Sequence, residues 1–392
     1  MAERGDLWYI SAVMQPFTLL IKPSGSDCNV DCTYCFYKCR SAEIGRGRQR
    51  MSEEVLDRLI KDYMQLGFPL AGFAWQGGEP TLMGLDFYKK AVELQKKYGK
   101  SGQEVGNSLQ TNAILLDENW CRFLHESKFL VGVSIDGPKE LHDYYRVDHS
   151  GGGTWDRVMR AIENCKKYDV EFNTLTLLND RNAVRPNEVF DFLVALGVRY
   201  LQFIPCVELD TTTGEITDFS VTPEQYAEFM CRVFDRWTEY GPDKLSIRDF
   251  DSILAYYVTG RHTICTFDKQ CSQYIVIEHR GDAYCCDFFV EPKWRLGGIM
   301  DTPIEKLAGS ALKRKFARKK RNLCNKCLVC RHLDICRGGC MKDRAPFDKD
   351  NFGRESYYCE AYKRFFDYAG PKFIQIAANI NAGQMRRDQN LA

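Results

Sequence analysis

The sequence predicts an α/β fold, a partial (β/α)6 barrel with a cysteine-rich C-terminal extension. Between residues 17 and 245, short apolar, β-branched runs alternate six times with longer segments of helical period, which is typical of a parallel sheet. The alternation stops there, and cysteine density rises from Cys265 to Cys359. Six units are two fewer than a closed barrel of this type has, so we expect an open barrel. A doubly wound sheet has the same local pattern and stays an alternative.

The six predicted strands are short and rich in β-branched and aromatic residues. They cover residues 17–22, 72–76, 108–111, 130–135, 171–177 and 200–204. The first helix should begin after Ser52, a good N-cap, with Glu53 and Glu54 where the helix dipole favours anions. Apolar residues then recur along one face between residues 55 and 64, which predicts a helix that covers a sheet.

Composition and patterning divide the chain into four predicted parts. Residues 1–16 form an N-terminal segment, 17–245 the partial barrel, 246–380 the cysteine-rich domain and 381–392 a flexible, polar tail. The main boundary is placed near Gly241 and Pro242, since both residues interrupt regular structure. The final segment is assigned as flexible because chain ends with few apolar residues tend to fray.

Cysteine usage is the unusual feature of the composition. The chain has 392 residues, 18 of them cysteine, while its 44% hydrophobic and 27% charged residues are ordinary for a globular protein. Glu3 and Asp6 argue against a signal peptide, and no apolar run reaches the roughly 18 residues that span a bilayer. We therefore expect a cytoplasmic protein without a membrane partner. Reduced cysteines in such number favour metal ligation over disulfides.

The first cysteine motif is a C-x3-C-x2-C run directly after the first predicted strand. It consists of Cys28, Cys32 and Cys35. A four-iron cluster needs four ligands, so three thiolates leave one iron open to another molecule. A three-cysteine zinc site and unligated thiols are the alternatives.

A second, larger group of cysteines lies in the C-terminal extension. It contains a C-x2-C-x5-C-x3-C run and four flanking cysteines, namely Cys327, Cys330, Cys336, Cys340, Cys359, Cys265, Cys271 and Cys286. Eight thiols can complete two four-cysteine sites. Spacing alone fits a zinc ribbon as well as an iron-sulfur cluster, and His332 could replace one ligand.

The three-cysteine motif, with Tyr34 before its last cysteine, resembles the signature of the radical S-adenosylmethionine (SAM) superfamily. The segment 76–80, QGGEP, is similar to that family's GGE motif, where glycines allow close backbone approach to the cofactor. The resemblance implies that SAM binds the open iron and is cleaved to a 5′-deoxyadenosyl radical.

The whole pattern resembles the SPASM subgroup, whose C-terminal domain binds two auxiliary clusters. This implies three [4Fe-4S] clusters in all. By position, the first auxiliary cluster would be held by Cys265, Cys271, Cys286 and Cys340, and the second by Cys327, Cys330, Cys336 and Cys359. Seven cysteines keep no role, namely Cys39, Cys121, Cys165, Cys206, Cys231, Cys285 and Cys324.

Within that subgroup the chain is most similar to anaerobic sulfatase-maturating enzymes. The matching stretches include LIKP at 20–23, CTYCFY at 32–37, SLQTN at 108–112, SIDGPK at 134–139 and CDF at 286–288. The resemblance implies oxidation of a cysteine or serine in a sulfatase polypeptide to Cα-formylglycine. Asp287 matches the family's general base, and the auxiliary clusters would take the second electron.

The same resemblance implies the residues that contact SAM. They are Tyr34, Gly78, Ser134, Arg146 and Val207, and Gln76 is a candidate substrate contact. A guanidinium such as that of Arg146 can bind the cofactor carboxylate through two hydrogen bonds. An external electron donor such as flavodoxin or ferredoxin is implied as a further partner.

Other readings of the sequence make different predictions. The basic run 313–321 could bind nucleic acid, but a net charge of +1 and the lack of interleaved aromatic residues favour a solvated helix face. A related SPASM enzyme could form a thioether in a short peptide, although such enzymes commonly carry an added recognition domain. A non-catalytic electron carrier would ligate every cluster fully and would leave SAM intact.

Overall fold

The computed structural model describes residues 15–37, 47–210, 212–344 and 353–391, and the backbone alone for 384–391. The predicted N-terminal segment 1–16 and Cys39 fall almost wholly outside these ranges. None of the helices within them is long and apolar enough to cross a bilayer.

One open sheet of ten strands organises the described part of the chain. Its barrel strands are β1 (Thr18–Lys22), β2 (Leu70–Trp75), β3 (Glu104–Thr111), β4 (Leu130–Ser134), β5 (Phe172–Leu178) and β6 (Tyr200–Pro205). They are parallel and adjacent in chain order. A doubly wound sheet reverses its strand order, so this arrangement is the predicted partial barrel and excludes the alternative.

Helices cover the outside of this sheet. They are α1 (Glu53–Gln65), α2 (Leu85–Tyr98), α3 (Glu118–Glu126), α4 (Lys139–Tyr145), α5 (Trp155–Lys167), α6 (Pro186–Ala195) and α7 (Pro223–Tyr240). In α1 the predicted N-cap is confirmed, because Ser52 Oγ accepts a hydrogen bond of 3.2 Å from the Val55 amide. The predicted apolar face of α1 is buried against the sheet.

The C-terminal extension adds four strands to the same sheet. They are β7 (Ser246–Ile247), β8 (Tyr274–Glu278), β9 (Asp282–Tyr284) and β10 (Arg295–Gly298). β7 pairs with β6, while β8 pairs in parallel with β1 and continues through β9 to β10. The sheet therefore crosses the predicted boundary at residue 246. The YIVIE run of β8 has the apolar, β-branched composition of a strand, but it was not predicted because it lies beyond the regular strand-helix alternation.

Short helices and one long helix complete the extension. They are α8 (Arg248–Thr259), α9 (Ile304–Ala308), α10 (Ala311–Lys319), α11 (Asn325–Leu328), α12 (Leu333–Cys336), α13 (Met341–Arg344) and α14 (Cys359–Leu391). Aromatic contacts of Phe365 and Phe373 with Phe234 and Phe250 hold α14 against α7 and α8. The helix α14 includes residues 381–391 of the segment that was predicted as a tail.

Candidate active site and cluster-binding cysteines

A cavity of about 680 Å³ opens at the carboxyl ends of the barrel strands. Cys28, Cys32 and Cys35 all line it, as the strand-end position of their motif predicted. The loop is held in place by backbone hydrogen bonds to the segment after α4, from Asp31 N to Val147 O (2.7 Å) and from Thr33 N to Tyr145 O (3.1 Å). Three thiols therefore face one accessible space.

The glycines of the QGGEP segment lie directly against the cysteine loop. Gly78 donates a backbone hydrogen bond of 2.8 Å to Gly25 O, and a Cβ added at Gly78 would lie 2.1 Å from Asp27 O. No other residue fits at this position. Gly78 also lines the cavity.

Glu79 ties this segment to the end of β3. Its buried carboxylate accepts hydrogen bonds from the Thr81 amide (2.9 Å) and hydroxyl (2.6 Å), the Thr111 hydroxyl (2.7 Å) and the Asn112 amide (2.8 Å). Burial raises the pKa of Glu79, and these four donors oppose the rise. The side-chain nitrogen of Asn112, Nδ2, lies 3.7 Å from Cys28 Sγ. Glu79 is thus a positioning residue for the cavity wall.

Tyr34 and Arg146 meet at a buried carboxylate that the sequence did not single out, that of Asp136. The Tyr34 hydroxyl donates to Asp136 Oδ2, and Arg146 contacts both Asp136 oxygens at 3.0 and 3.1 Å. The guanidinium carbon lies 5.5 Å from the centre of the Tyr34 ring. Asp136 thus makes the two contacts with the Arg146 guanidinium that were predicted for the carboxylate of SAM.

Ser134 and Val207 differ in their relation to the cavity. Ser134 lines it, and its hydroxyl accepts a hydrogen bond of 3.0 Å from Gln110. Val207 is buried and is not part of the lining, although its neighbour Cys206 is. The Val207 carbonyl accepts a hydrogen bond of 2.8 Å from Lys342.

Asp287 is the centre of a polar network on the opposite wall. Its carboxylate accepts hydrogen bonds from the Tyr37 hydroxyl (3.1 Å) and the Gln76 amide (3.0 Å), and it forms an ion pair with Lys22. Lys22 is fully buried and also lies 3.3 Å from Glu278. Burial raises the pKa of Glu278, and Lys22 opposes the rise. The cavity wall therefore presents a carboxylate whose charge is balanced by a buried ammonium.

The first predicted four-cysteine set converges on the same cavity. All its members line it, namely Cys265, Cys271, Cys286 and Cys340. Burial raises the pKa of Cys286, and the neighbouring Cys271 and Cys340 raise it further. Burial likewise raises the pKa of Cys340 to about 12. Buried thiols that repel one another as thiolates are the chemistry of a metal site, because the metal stabilises the deprotonated sulfurs.

The second set surrounds a separate cavity of about 20 Å³. Its four cysteines line that cavity together, namely Cys327, Cys330, Cys336 and Cys359. Burial raises the pKa of Cys327 to about 12 and that of Cys359 to about 11. The His332 ring instead contacts Asp367 Oδ1 at 2.7 Å, which favours an all-cysteine ligand set.

Two cysteines lie beside the proposed ligands. Cys285 packs with Phe289 and Trp294, and burial raises its pKa to about 11 with Lys313 as the one charged neighbour. Cys286, by contrast, has three cysteine neighbours, which supports Cys286 as the ligand. Cys324 Sγ lies 3.5 Å from Cys327 Sγ but does not line the small cavity.

Comparison with known proteins agrees with this geometry. Residues 23–193 match the family model of the radical SAM superfamily, and residues 265–331 match the SPASM model, an iron-sulfur cluster-binding domain. The chain is a radical SAM enzyme, whose cofactors are SAM, a [4Fe-4S] cluster in the barrel and auxiliary clusters in the extension. The resemblance and these cofactors were predicted from sequence and are confirmed.

Relatives define the family more narrowly. A cysteine-type anaerobic sulfatase-maturating enzyme of Clostridium perfringens is 39% identical over 371 residues, which are 94% of this chain and 100% of that protein. A serine-type enzyme of Bacteroides thetaiotaomicron is 36% identical, covering 91% and 90%. The solved structure of native anSMEcpe with bound AdoMet and Cp18Cys peptide matches with a TM-score of 0.87 and 39% identity, covering 93% and 100%. The chain belongs to the anaerobic sulfatase-maturating enzymes.

Proposed function

We propose that this enzyme oxidises a cysteine or serine side chain of a sulfatase polypeptide to Cα-formylglycine. The observation that carries the proposal is one cavity that joins the three-cysteine loop to Asp287 and its network. When bound, the cofactors supply a 5′-deoxyadenosyl radical, which removes one hydrogen atom from the substrate Cβ, and an acceptor for the second electron. The chain itself must bind the peptide, orient Cβ and remove a proton.

Asp287 is proposed as the base that takes the thiol or hydroxyl proton. Its carboxylate forms an ion pair with Lys22 and accepts a hydrogen bond from the Tyr37 hydroxyl. Its second oxygen accepts a hydrogen bond of 3.0 Å from Gln76. A general base needs such a fixed orientation, because it must lie within hydrogen-bond distance of the proton before its pKa matters. A cysteine substrate would pass through a thioaldehyde that water hydrolyses to the aldehyde and hydrogen sulfide, whereas a serine substrate would give the aldehyde directly.

The proposed cofactor residues lie on the barrel side of the cavity. Cys28, Cys32 and Cys35 would hold the cluster that binds SAM, with Gly78 offering its backbone and Ser134 its hydroxyl. Tyr34 and Arg146 share Asp136, so we assign them to the shape and charge of the cofactor pocket. Val207 is assigned through its backbone, next to Cys206 in the lining.

The partners we propose are a sulfatase polypeptide and an external electron donor such as flavodoxin or ferredoxin, with no nucleic acid and no membrane. A reducing, cytoplasmic setting fits because none of the described cysteines forms a disulfide. The peptide-bound structure of the relative supports a peptide in the cavity.

Anaerobic reconstitution followed by incubation with SAM, a reductant and a peptide carrying the C/S-x-P/A-x-R motif tests the proposal. Cysteine and serine peptides are compared by mass spectrometry. The expected result is an aldehyde in one or both peptides, with 5′-deoxyadenosine formed in proportion. A peptide with alanine at the target position is the matched control and should give no aldehyde. A thioether product, or SAM cleavage with unmodified peptides, would overturn the assignment.

A further inference from the structure

The basic run 313–321 forms the predicted solvated helix face only in part, because two of its lysines are buried. Lys315 and Arg318 are exposed, but Lys313 and Lys320 are buried, at 6% and 1% exposure, and point toward the first four-cysteine set. The reason is the period of α10, which turns Lys313, Phe316, Ala317 and Lys320 to one side.

Each of these buried ammonium groups is held by carbonyl oxygens. Lys313 Nζ donates to Tyr274 O at 2.6 Å and to Cys285 O at 2.8 Å. Lys320 Nζ donates to Thr266 O at 2.8 Å and to Cys265 O. Neither forms an ion pair with a carboxylate in the part of the chain that the structure describes. Two positive charges therefore lie beside the first cysteine set without an ion-paired carboxylate, and the buried Asp343 is the acid that acts on both Lys320 and Cys340.

Arg344 at the end of α13 is a third buried cation, and it lies between the two sets. Its guanidinium donates to Arg337 O (2.6 Å), Gly338 O (2.7 Å), Lys320 O (2.8 Å) and Asn322 O (3.1 Å). Residues 337–339 join Cys336 of the second set to Cys340 of the first. Arg344 therefore anchors the peptide that links the two proposed clusters.

The linking peptide has an unusual left-handed backbone. Arg337, Gly338 and Gly339 have φ values of 51°, 74° and 64°, three left-handed residues in succession. A Cβ added at Gly338 would lie 2.5 Å from an Arg344 nitrogen. The turn points its carbonyls at the guanidinium and leaves Cys336 and Cys340 facing different sites.

An unpaired buried cation is costly unless negative charge lies nearby. Burial lowers the pKa of Arg344, and Cys327, Cys340, Cys271 and Cys336 oppose the decrease as thiolates, so members of both sets lie within its field. A four-thiolate [4Fe-4S] cluster is negative in both oxidation states, and it is more negative when reduced. Its potential depends on net charge and surrounding hydrogen bonds.

We infer that Lys313, Lys320 and Arg344 form a buried cationic layer that raises the reduction potentials of the auxiliary clusters, with Arg344 acting on both. The layer stabilises the reduced, more negative clusters and so favours their taking an electron from the substrate. These are positioning residues that touch neither substrate nor SAM. The inference rests on the ligand sets of the proposed function.

Redox titration followed by electron paramagnetic resonance tests this layer. The full-length chain carries Cys32→Ala, which removes the barrel cluster signal, and iron is counted before each titration. Arg344→Gln should shift both auxiliary midpoints to more negative potential, and Arg344→Lys, which keeps the charge, should shift them less. Lys320→Gln should lower the midpoint of the first cluster alone. Lys315→Gln, on the exposed side of the same helix, is the matched control and should leave both midpoints unchanged.

The iron count separates the inference from its premise. Full iron with unchanged midpoints in both Arg344→Gln and Lys320→Gln would overturn the inference while leaving the proposed function intact. An equal shift in Lys315→Gln would also overturn it. If Arg344→Gln loses iron, Lys313→Gln and Lys320→Gln decide, because neither ammonium anchors the linking peptide. A parent chain without iron at the auxiliary cysteines would instead contradict the proposed ligand sets.

Discussion

The three-cysteine loop and the second four-cysteine set differ in access as well as in ligand number. Three cysteines lie on an open cavity of about 680 Å³, which also holds Asp287, whereas Cys327, Cys330, Cys336 and Cys359 close around about 20 Å³. An open coordination position is useful only where a second molecule can reach it, and a complete ligand set suits electron transfer. The first four-cysteine set lines the same open cavity as the three-cysteine loop, so a complete ligand set is enclosed only at the second site.

The two regions also differ in the sign of their buried charge. Burial and the nearby Glu79 raise the pKa of Cys28, because an acid lies beside the cysteine loop. The other buried charges near this loop, Arg146 and Asp136, form an ion pair with each other. Beside the auxiliary sets lie the three cations Lys313, Lys320 and Arg344, opposed near Cys340 by the buried Asp343. Negative charge disfavours reduction of a cluster and positive charge favours it. The barrel cluster should therefore be the stronger reductant and the auxiliary clusters the better acceptors.

The largest effect that would sharpen this comparison is loss of one cluster at a time. Cys32→Ala should lose about four irons per chain and all SAM cleavage, because the open site depends on three thiolates. Cys330→Ala should also lose about four irons but keep SAM cleavage, while formylglycine formation falls. Iron assay and chromatography of 5′-deoxyadenosine measure both. Loss of SAM cleavage in Cys330→Ala with the barrel cluster intact would contradict the division of roles.

Asp287→Asn removes the proposed base without changing the shape of the cavity. Formylglycine formation should fall by roughly 10²–10⁴-fold, the usual contribution of a positioned base. SAM cleavage should persist, because the cysteine loop is untouched. Mass spectrometry of the peptide and assay of 5′-deoxyadenosine give the two rates. Unchanged turnover of the peptide would remove Asp287 from the mechanism.

Lys22→Met tests the buried charge behind Asp287. Removing one partner of a buried ion pair should cost about 3–5 kcal/mol of the free energy of unfolding, since Glu278 is left buried without its cation. Burial already raises the pKa of Glu278, and loss of Lys22 should raise it further. The folded state then keeps a proton that the unfolded chain releases, so the loss of stability should grow as pH rises above the ordinary glutamate pKa of about 4.5.

Anaerobic urea unfolding at several pH values measures this effect. Lys89→Met, which removes an exposed ion pair with Asp86, is the matched control and should change the free energy of unfolding by about 0–1 kcal/mol without a pH trend. A Lys22→Met penalty that shrinks as pH rises would contradict the charge assignment of this wall.

The smallest effects are expected for the two cysteines beside the ligands. Cys285→Ala and Cys324→Ala should retain all the iron, because neither belongs to a proposed four-cysteine set. Cys285→Ala should cost about 1 kcal/mol of stability through lost packing against Phe289 and Trp294. Iron assay with thermal unfolding checks both. Loss of about four irons in either variant would mean that this cysteine is a cluster ligand in place of its neighbour in the proposed set.

Sequence reasoning predicted the barrel and the cysteines that line the cavity because both depend on local patterns. Strand periodicity located six strands to within a few residues, and the cysteine spacing placed three thiols at a strand end. β8 was missed because its partner, β1, lies more than 250 residues earlier in the chain, and periodicity carries no information on pairing at that distance.

The residues that sequence reasoning missed are buried charges. Asp136 and Lys22 lie within motifs that were noticed, but their roles depend on partners from other elements, such as Arg146 and Glu278. The basic run was predicted correctly for its exposed residues, but Lys313 and Lys320 are buried because carbonyl oxygens from other elements bind their ammonium groups. Contacts between charged residues that are distant in the chain are therefore the feature of this site that could not be predicted from the sequence.

The most direct test compares 5′-deoxyadenosine release, under anaerobic reduction with SAM, between the natural chain and a chain carrying both Cys286→Ala and Cys330→Ala. The two forms differ only in the two proposed four-cysteine sites. If the open three-cysteine site alone binds and cleaves SAM, both forms release 5′-deoxyadenosine and only the natural chain makes formylglycine. Release by neither form, or zinc in place of iron in the natural chain, would contradict the account.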